Sequence, residues 1–161
     1  VHTRNRYSPG VMVWAGIMVD GRTPLHIFTG GTVTSDKYCR EILLGHVRLF
    51  RGAVGPEFVL MDENARPHRS YAVCDTLESE DITRMTWPPY SPDLNPIEHA
   101  WDALGRRVAS RTMPPRTVEE LSKALIEEWE QMPMQLLNTL VHSMNNRCKV
   151  CISVRGGHTP Y

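Results

Sequence analysis

The chain has 161 residues, 41% of them hydrophobic, and its 18 lysine and arginine residues balance 18 aspartate and glutamate residues. This composition excludes a disordered chain, and no stretch reaches the roughly 20 apolar residues that span a membrane. A net charge of zero gives no bulk support for nucleic-acid binding, although cations cluster at 66–69, 105–107 and 110–116. The length predicts a single domain over residues 1–161, with an irregular lead-in at 1–10 and a tail at 152–161.

The first predicted elements form a β-hairpin. Residues 11–19 (VMVWAGIMV) are a β-branched and apolar run that is typical of a strand. The pair Asp20-Gly21 is a hairpin signal, and residues 23–30 are predicted to return as the second strand.

A helix is predicted next, over residues 34–50. Ser35 is the predicted N-cap. Apolar residues recur at helical spacing and predict the face that packs on the core: Tyr38, Ile42, Leu43, Val47 and Phe50.

Strands and helices are predicted to alternate through the rest of the chain. The predicted strand at 57–61 is continuously apolar over residues 58–61 (FVLM), as expected of a strand buried on both faces of a mostly parallel sheet. Asn95 is a predicted N-cap, and Thr117 with Glu120 is a predicted capping box. Strands are predicted at 57–61 and 82–87, and helices at 66–80, 95–110, 117–129 and 133–151. This order predicts an α/β domain with a sheet flanked by helices.

Two acids close the predicted strand at 57–61, in the segment MDENARPH (61–68). In open α/β sheets ligands bind beyond the carboxyl ends of the strands, and carboxylate oxygens are the ligands that Mg²⁺ prefers. Asp62 and Glu63 are therefore candidate metal ligands. Taken alone, they are better explained as solvated loop acids or as N-caps of the next helix.

A second acidic motif lies at a predicted helix start, in SPDLNPIEHAWD (91–102). Glu98 stands three residues after Asn95, which suits the capping-box partner of that helix. Asp102 lies one turn further on the same helix face, so the two acids could also ligate a cation. By itself the motif leaves both roles open.

The spacing of the two motifs suits a shared site. Between Glu63 and Glu98 there are 34 residues, which hold a predicted helix, a strand and a proline-rich loop. Such a path can bring a strand end and a helix start together. Phosphodiester chemistry with two metal ions about 3.5–4 Å apart needs carboxylates that converge from several elements.

Four segments together resemble the catalytic domain of the Tc/mariner superfamily of DNA transposases: VMVWAGI, DENARPH, WPPYSPDLNPIEHAWDALGRRV and RGGHTPY. The resemblance implies a ribonuclease H-like fold, with a mixed sheet flanked by helices. It also implies an Asp-Asp-Glu or Asp-Asp-Asp triad that binds two Mg²⁺ or Mn²⁺ ions. It also implies cleavage of double-stranded DNA at terminal inverted repeats and joining of the freed 3′ ends to target DNA. By position, Glu98 matches the third acid and Glu63 occupies the slot of the second.

The chain departs from the family pattern at the second acid. The family has Asp where this chain has Glu63, and Asp62 is one residue too early, which makes it a weak alternative ligand. Glutamate keeps the charge but displaces the carboxylate, and a misplacement of about 1 Å can cost on the order of 100-fold in rate. Impaired catalysis is therefore expected.

The chain also lacks a match to the family's first acid. That Asp lies on a first, central strand, and no such strand is predicted before Val11. Its absence predicts exposed strand edges and an aggregation-prone chain. The alternative to a working enzyme is a catalytically dead remnant that acts as a DNA-binding or protein-interaction module.

Five basic residues are candidates for contacts to DNA phosphates: Arg66, His68, Arg69, Arg106 and Arg107. For any one of them, a solvated surface charge or a pair with an acid such as Asp102 is the preferred explanation, and His68 could instead pack near the strand end. The helices at 117–131 and 134–151 are predicted to cover the sheet and to offer a homodimer surface. A DNA substrate predicts a nuclear location and no membrane partner.

Overall fold

A computed structural model describes residues 10–62, 66–86 and 91–161, and the chain divides into two compact units. Unit 1 comprises Val1–Gly30 and His99–Val141, and unit 2 comprises Gly31–Glu98 and His142–Tyr161. Each unit is therefore built from two separate stretches of the chain. A single domain over residues 1–161 stays a prediction.

The hairpin of unit 1 consists of two short antiparallel ladders. Val13 pairs with Ile27 in the outer ladder and Ile17 with Arg22 in the inner one. The four strands are β1 (Val13–Trp14), β2 (Ile17–Met18), β3 (Gly21–Arg22) and β4 (His26–Ile27). The predicted hairpin is confirmed. Its turn is Val19-Asp20, one residue before the predicted pair, with Asp20 at a φ of 58° that aspartate tolerates.

A bulge separates the two ladders. Two residues lie between β1 and β2, but three lie between β3 and β4, so the pairing shifts by one residue. Pro24 is in the longer stretch and has no N–H to donate to a ladder. Thr23 closes the gap, because its N–H donates to the Gly16 carbonyl at 2.9 Å and its hydroxyl accepts from the Gly16 N–H at 2.8 Å.

Helix α5 (Val118–Gln131) carries the central tryptophan of unit 1. Trp129 is fully buried, and its indole N–H donates to the Thr23 carbonyl at 2.8 Å. Arg22 donates from Nη1 to the Trp129 carbonyl and from Nη2 to the Met132 carbonyl, each at 2.6 Å. The hairpin therefore caps the end of α5, where carbonyls lack partners within the helix.

The remaining helices that reach into unit 1 are α4 (Ile97–Ala109) and α6 (Met134–His142). The predicted capping box forms at the start of α5, because the Thr117 hydroxyl accepts from the Glu120 N–H at 3.1 Å. In a capping box the Glu120 carboxylate would also accept from the Thr117 N–H. It accepts instead from the N–H of Arg116, one residue earlier, at 2.7 Å.

Unit 2 begins with a helix whose middle is π-helical. It runs as α1 (Ser35–Tyr38), a π-helical segment (Cys39–Val47) and α2 (Arg48–Val54). The N-cap is Thr34, whose hydroxyl accepts from the Lys37 N–H at 3.2 Å, so the predicted cap at Ser35 is wrong by one residue. The helix ends four residues later than predicted, because Gly55 is the first residue to leave helical geometry, at a φ of 99°.

The predicted apolar stripe of that helix is confirmed over most of its length. Four of its residues are buried and Phe50 is half-buried: Tyr38, Ile42, Leu43 and Val47. These side chains supply much of the apolar core of unit 2.

Two strands of unit 2, β5 (Val59–Leu60) and β6 (Thr83–Arg84), pair in parallel. Leu60 is buried but Val59 is 48% exposed, so the expectation that both faces of this strand are covered is wrong. The predicted helix at 66–80 is divided into a 3₁₀ turn (Arg66–Arg69) and α3 (Tyr71–Ser79). Ser70 separates them because its hydroxyl accepts from the Val73 N–H at 3.3 Å, which makes it the N-cap of α3.

The predicted last helix is also divided, into α6 and α7 (Met144–Ser153). The residue between them is Ser143, whose hydroxyl accepts from Arg147 at 2.7 Å. Before α4, a 3₁₀ turn (Pro92–Leu94) lies within the predicted proline-rich loop.

The described strands form one parallel and two antiparallel pairs, which agrees with the predicted mixed α/β class. The predicted absence of a first central strand concerns residues 1–9, which lie outside the described residues. Within the described ranges, no helix is long and apolar enough to cross a membrane.

Candidate active site

Asp62 stands at the end of β5 and is held by arginines. Its side chain is buried, with Oδ1 3.4 Å from Nη2 of Arg69 and Oδ2 3.4 Å from Nε of Arg84. Burial raises the pKa of Asp62 above its ordinary value, while Arg84 and Arg69 act in the opposite direction. A cation would have to displace two guanidinium groups to reach these oxygens. This geometry argues against Asp62 as the alternative metal ligand.

Glu63, the candidate in the second acid's slot, lies outside the described residues together with 64 and 65. The nearest described residues on either side are Asp62 and Arg66, and Arg66 begins the 3₁₀ turn Arg66–Arg69. The distance from Glu63 to Glu98 therefore stays a prediction.

Among the basic candidates beside this strand end, His68 is packed and Arg69 is ion-paired. His68 is 7% exposed, and its ring stacks on Tyr38 with centroids 3.8 Å apart at 17°. Its carbonyl accepts from Arg84 at 2.7 Å. Packing near the strand end was the alternative role for His68, and the structure supports it. Arg69 is exposed as a residue but turns one nitrogen toward Asp62.

The other candidate acid, Glu98, is in the first turn of α4 and is half-buried. The predicted Asn95 cap is confirmed, since its side-chain oxygen accepts from the Ile97 N–H at 3.2 Å. The Glu98 N–H donates to the Asn95 carbonyl at 3.3 Å. A carboxylate in the first turn lies near the positive end of the helix dipole, and Glu98 occupies that position.

The turn before Glu98 is held by residues that the sequence did not single out. Arg147 in α7 is 2% exposed and donates from Nη1 to the Asp93 carbonyl at 2.8 Å. Thr159, near the C-terminus, donates its hydroxyl to the Asp93 carboxylate at 2.7 Å. Burial lowers the pKa of Arg147, while Tyr161 and Asp93 act in the opposite direction. A charged residue in a predicted helix is expected to be solvated, so no sequence signal marked Arg147 as buried.

The basic candidates in α4 belong to unit 1. Arg106 is exposed. Arg107 pairs with Glu128 at 3.0 Å, so its acidic partner is on α5 and was not the suggested Asp102, which is itself exposed. Arg111 pairs with the same Glu128 at 3.3 Å and joins the cluster. Arg106 is thus the more accessible of the two α4 candidates.

Across residues 10–62, 66–86 and 91–161, no group of three or more His, Cys, Asp or Glu side chains lies together in a way that could hold a metal ion. The carboxylate oxygens of Glu98 are donors that suit Mg²⁺ or Mn²⁺. Asp62 has the same kind of oxygens, but they face Arg69 and Arg84. Of the candidate ligands, Glu98 therefore fits a divalent cation best among the described residues.

A family model described as "DDE superfamily endonuclease" matches residues 3–122, an interval that contains both Glu63 and Glu98. The transposase of transposable element Tcb1 from Caenorhabditis briggsae is 32% identical over 153 residues, which are 94% of this chain and 54% of that protein. The chain thus spans about half the length of this relative.

Solved structures of the Mos1 transposase share the fold. The Mos1 mariner paired end complex with Mn superposes with a TM-score of 0.83 at 22% identity, covering 98% of this chain and 47% of that chain. The Mos1 catalytic domain with Raltegravir and Mg gives a TM-score of 0.80 at 22% identity, covering 92% and 77%. The predicted ribonuclease H-like α/β class is therefore confirmed. Since the family model covers most of the chain, this protein belongs to the DDE superfamily endonuclease family, as its resemblance to the Tc/mariner transposases predicted.

Proposed function

We propose that the chain is a transposase catalytic domain for metal-dependent cleavage and strand transfer of double-stranded DNA. The observation that carries the proposal is the family match over residues 3–122, which includes the whole interval from Glu63 to Glu98. The proposed substrates are terminal inverted repeats and target DNA. A relative that is a transposase and a Mos1 paired end complex of the same fold support this choice.

In this proposal Glu63 and Glu98 are the catalytic carboxylates and hold Mg²⁺ or Mn²⁺. The bound cations would polarise the phosphate and lower the pKa of an attacking water or 3′-hydroxyl. The Asn95 cap and the first-turn position of Glu98 support this role, because they hold the backbone at the start of α4. Two structures of the same fold with Mn and Mg support the choice of cation.

Activity is proposed to be impaired, because Glu63 replaces the family's aspartate. The contacts of Asp62 strengthen this proposal, since both of its carboxylate oxygens face arginines and it is poorly placed to take over. The same observation favours the second candidate function, a catalytically dead remnant that binds DNA or another protein.

For DNA binding, we propose phosphate contacts by Arg66, His68, Arg69, Arg106 and Arg107. Arg106 has the strongest support because it is exposed, whereas His68 and Arg107 already have protein partners. A nuclear location follows from the proposed substrate. A homodimer through the helices at 117–131 and 134–151 also belongs to the proposal.

The test is a nicking assay with the 161-residue chain, labelled DNA carrying candidate terminal repeats, and Mg²⁺ or Mn²⁺. Glu63→Asp should raise the nicking rate on the order of 100-fold, because it restores the carboxylate position. Glu98→Gln in that background should abolish nicking, whereas the control Glu130→Gln, an exposed acid of α5, should not. An absence of metal-dependent nicking in Glu63→Asp would sink the enzyme proposal, and retained DNA binding would then support the remnant.

A further inference from the structure

The turn Pro92–Leu94, which leads into α4, is tied to α7 by a buried arginine. The Arg147 guanidinium donates to the Asp93 carbonyl at 2.8 Å and to the Ser143 hydroxyl at 2.7 Å. Arginine is almost never fully buried unless its donors are satisfied, because desolvating the charge is costly. Its burial here, at 2% exposure, indicates that its partners are fixed in position.

The C-terminal residues hold the same turn through a second set of bonds. Thr159 is 1% exposed, and its hydroxyl donates to the Asp93 carboxylate at 2.7 Å. The ring of Tyr161 lies 4.6 Å from the Arg147 guanidinium carbon, within the range of a cation–π interaction. Asp93 is thus bound at its main-chain oxygen by one element and at its side chain by another.

Backbone hydrogen bonds connect the turn that contains Asp93 to Glu98. The Asn95 N–H donates to the Pro92 carbonyl at 3.0 Å, and the Glu98 N–H donates to the Asn95 carbonyl at 3.3 Å. Leu94, between Asp93 and Asn95, is buried. A shift of the turn would therefore move the cap residue and the first turn of α4 with it.

We propose that Arg147 is a positioning residue for Glu98, which it orients by fixing Asp93 at the turn that starts α4. This inference rests on the proposed function, because it assigns the metal-binding role to Glu98. An arginine that only stabilised the fold would change unfolding but would leave the metal affinity of the folded chain unaltered. The distinction can be measured without any catalytic turnover.

The first measurement is the affinity of the 161-residue chain for Mn²⁺, determined by electron paramagnetic resonance of the free ion. Arg147→Gln should weaken Mn²⁺ binding about tenfold, comparable to losing a group that orients a metal ligand. Lys149→Gln is the matched control, since it removes a positive charge from an exposed position of the same helix and should leave the affinity unchanged. Arg147→Lys should recover part of the loss, because lysine can still donate to the Asp93 carbonyl.

The second measurement is amide hydrogen exchange at the start of α4. Arg147→Gln should speed exchange at Asn95 and Glu98, whose N–H groups bond within this turn, while amides in the middle of α5 keep the wild-type rate. Thr159→Val removes a bond to the same Asp93 and provides a second variant if Arg147→Gln does not fold. It should produce the same pattern with a smaller amplitude.

The outcomes separate the two proposals. If Glu98→Ala abolishes Mn²⁺ binding but Arg147→Gln changes neither the affinity nor the exchange at Glu98, the positioning role is overturned and the proposed function stands. Unchanged Mn²⁺ binding in Glu98→Ala overturns the metal site itself, and with it the role given to Arg147. Weaker binding together with faster exchange confined to the turn and the start of α4 supports both.

Discussion

The two segments that lead to the candidate acids are held in different ways. At the end of β5, arginines bind the carboxylate of Asp62 directly, in the position next to Glu63. At the start of α4, Arg147 and Thr159 bind Asp93, which precedes Glu98 in the chain. Cations that bind an acid directly compete with a metal ion for it. Residues that bond to a neighbouring turn can instead orient the side chain of an acid while its carboxylate oxygens stay available to a metal ion.

Among the variants that test this comparison, Arg84→Met is expected to change the free energy of unfolding most. The variant leaves the buried Asp62 with fewer positive partners and removes the donor to the His68 carbonyl. The free energy of unfolding should fall by about 3 kcal/mol near neutral pH, as measured by urea denaturation. Arg48→Met is the control, since Arg48 is exposed, and it should change stability by no more than about 0.5 kcal/mol. Equal stabilities for the two variants would show that the strand end does not depend on its arginine.

A smaller effect is expected from Thr159→Val, which tests the other segment. The variant keeps the side-chain shape but removes a hydrogen bond to the Asp93 carboxylate. Bonds to charged groups contribute about 2 kcal/mol, so the free energy of unfolding should fall by about that amount. Thr112→Val replaces an exposed threonine and should be nearly neutral. A neutral Thr159→Val would mean that the C-terminal residues do not support the turn.

The smallest effect is a change in the pH dependence of stability. Burial raises the pKa of Asp62 above its ordinary 3.8, so the folded state binds its proton more strongly than the unfolded state does. The stability that this group contributes is complete below that value and is lost as the pH rises through its folded pKa.

Wild type should therefore lose stability relative to Asp62→Asn as the pH rises from about 4 toward neutrality, followed by urea denaturation at each pH. Asp75→Asn, which alters an exposed carboxyl of α3, should follow the wild-type profile. A wild-type stability that instead rose relative to Asp62→Asn over this range would mean that the arginines outweigh burial.

Local patterns predicted the elements well where one physical signal dominated. The apolar stripe around Leu43 fixed which face of the first helix is buried, and the Thr117 cap fixed where α5 begins. Predicted helix boundaries were wrong where two neighbouring residues could both act as the N-cap. Thr34, for example, caps the first helix of unit 2 in place of Ser35. The division of the helix at Ser143 was missed because no glycine or proline marks it in the sequence.

For the candidate site, the sequence predicted the types of residue and the spacing between them, but not their partners. The 34-residue interval and the helix start at Glu98 were visible in the sequence. The support given by Arg147 was not, because it comes from an element distant in the chain: Arg147 and Asp93 are 54 positions apart. The ion pairs of Asp62 with Arg69 and Arg84 were not visible either, since basic residues at these positions are equally compatible with solvated surface charges. Sequence periodicity reports which face of an element is buried but does not report which partner meets it.

The bonds from Arg22 to the end of α5 have a consequence for biosynthesis. Arg22 and Trp129 are 107 positions apart, so the hairpin leaves the ribosome long before its helical partner has been made. Contacts of such long range slow folding and leave strand edges open to other nascent chains during that wait. Assembly of this half of the molecule must therefore wait until α5 has been synthesised, and the emerging hairpin is exposed to other chains until then.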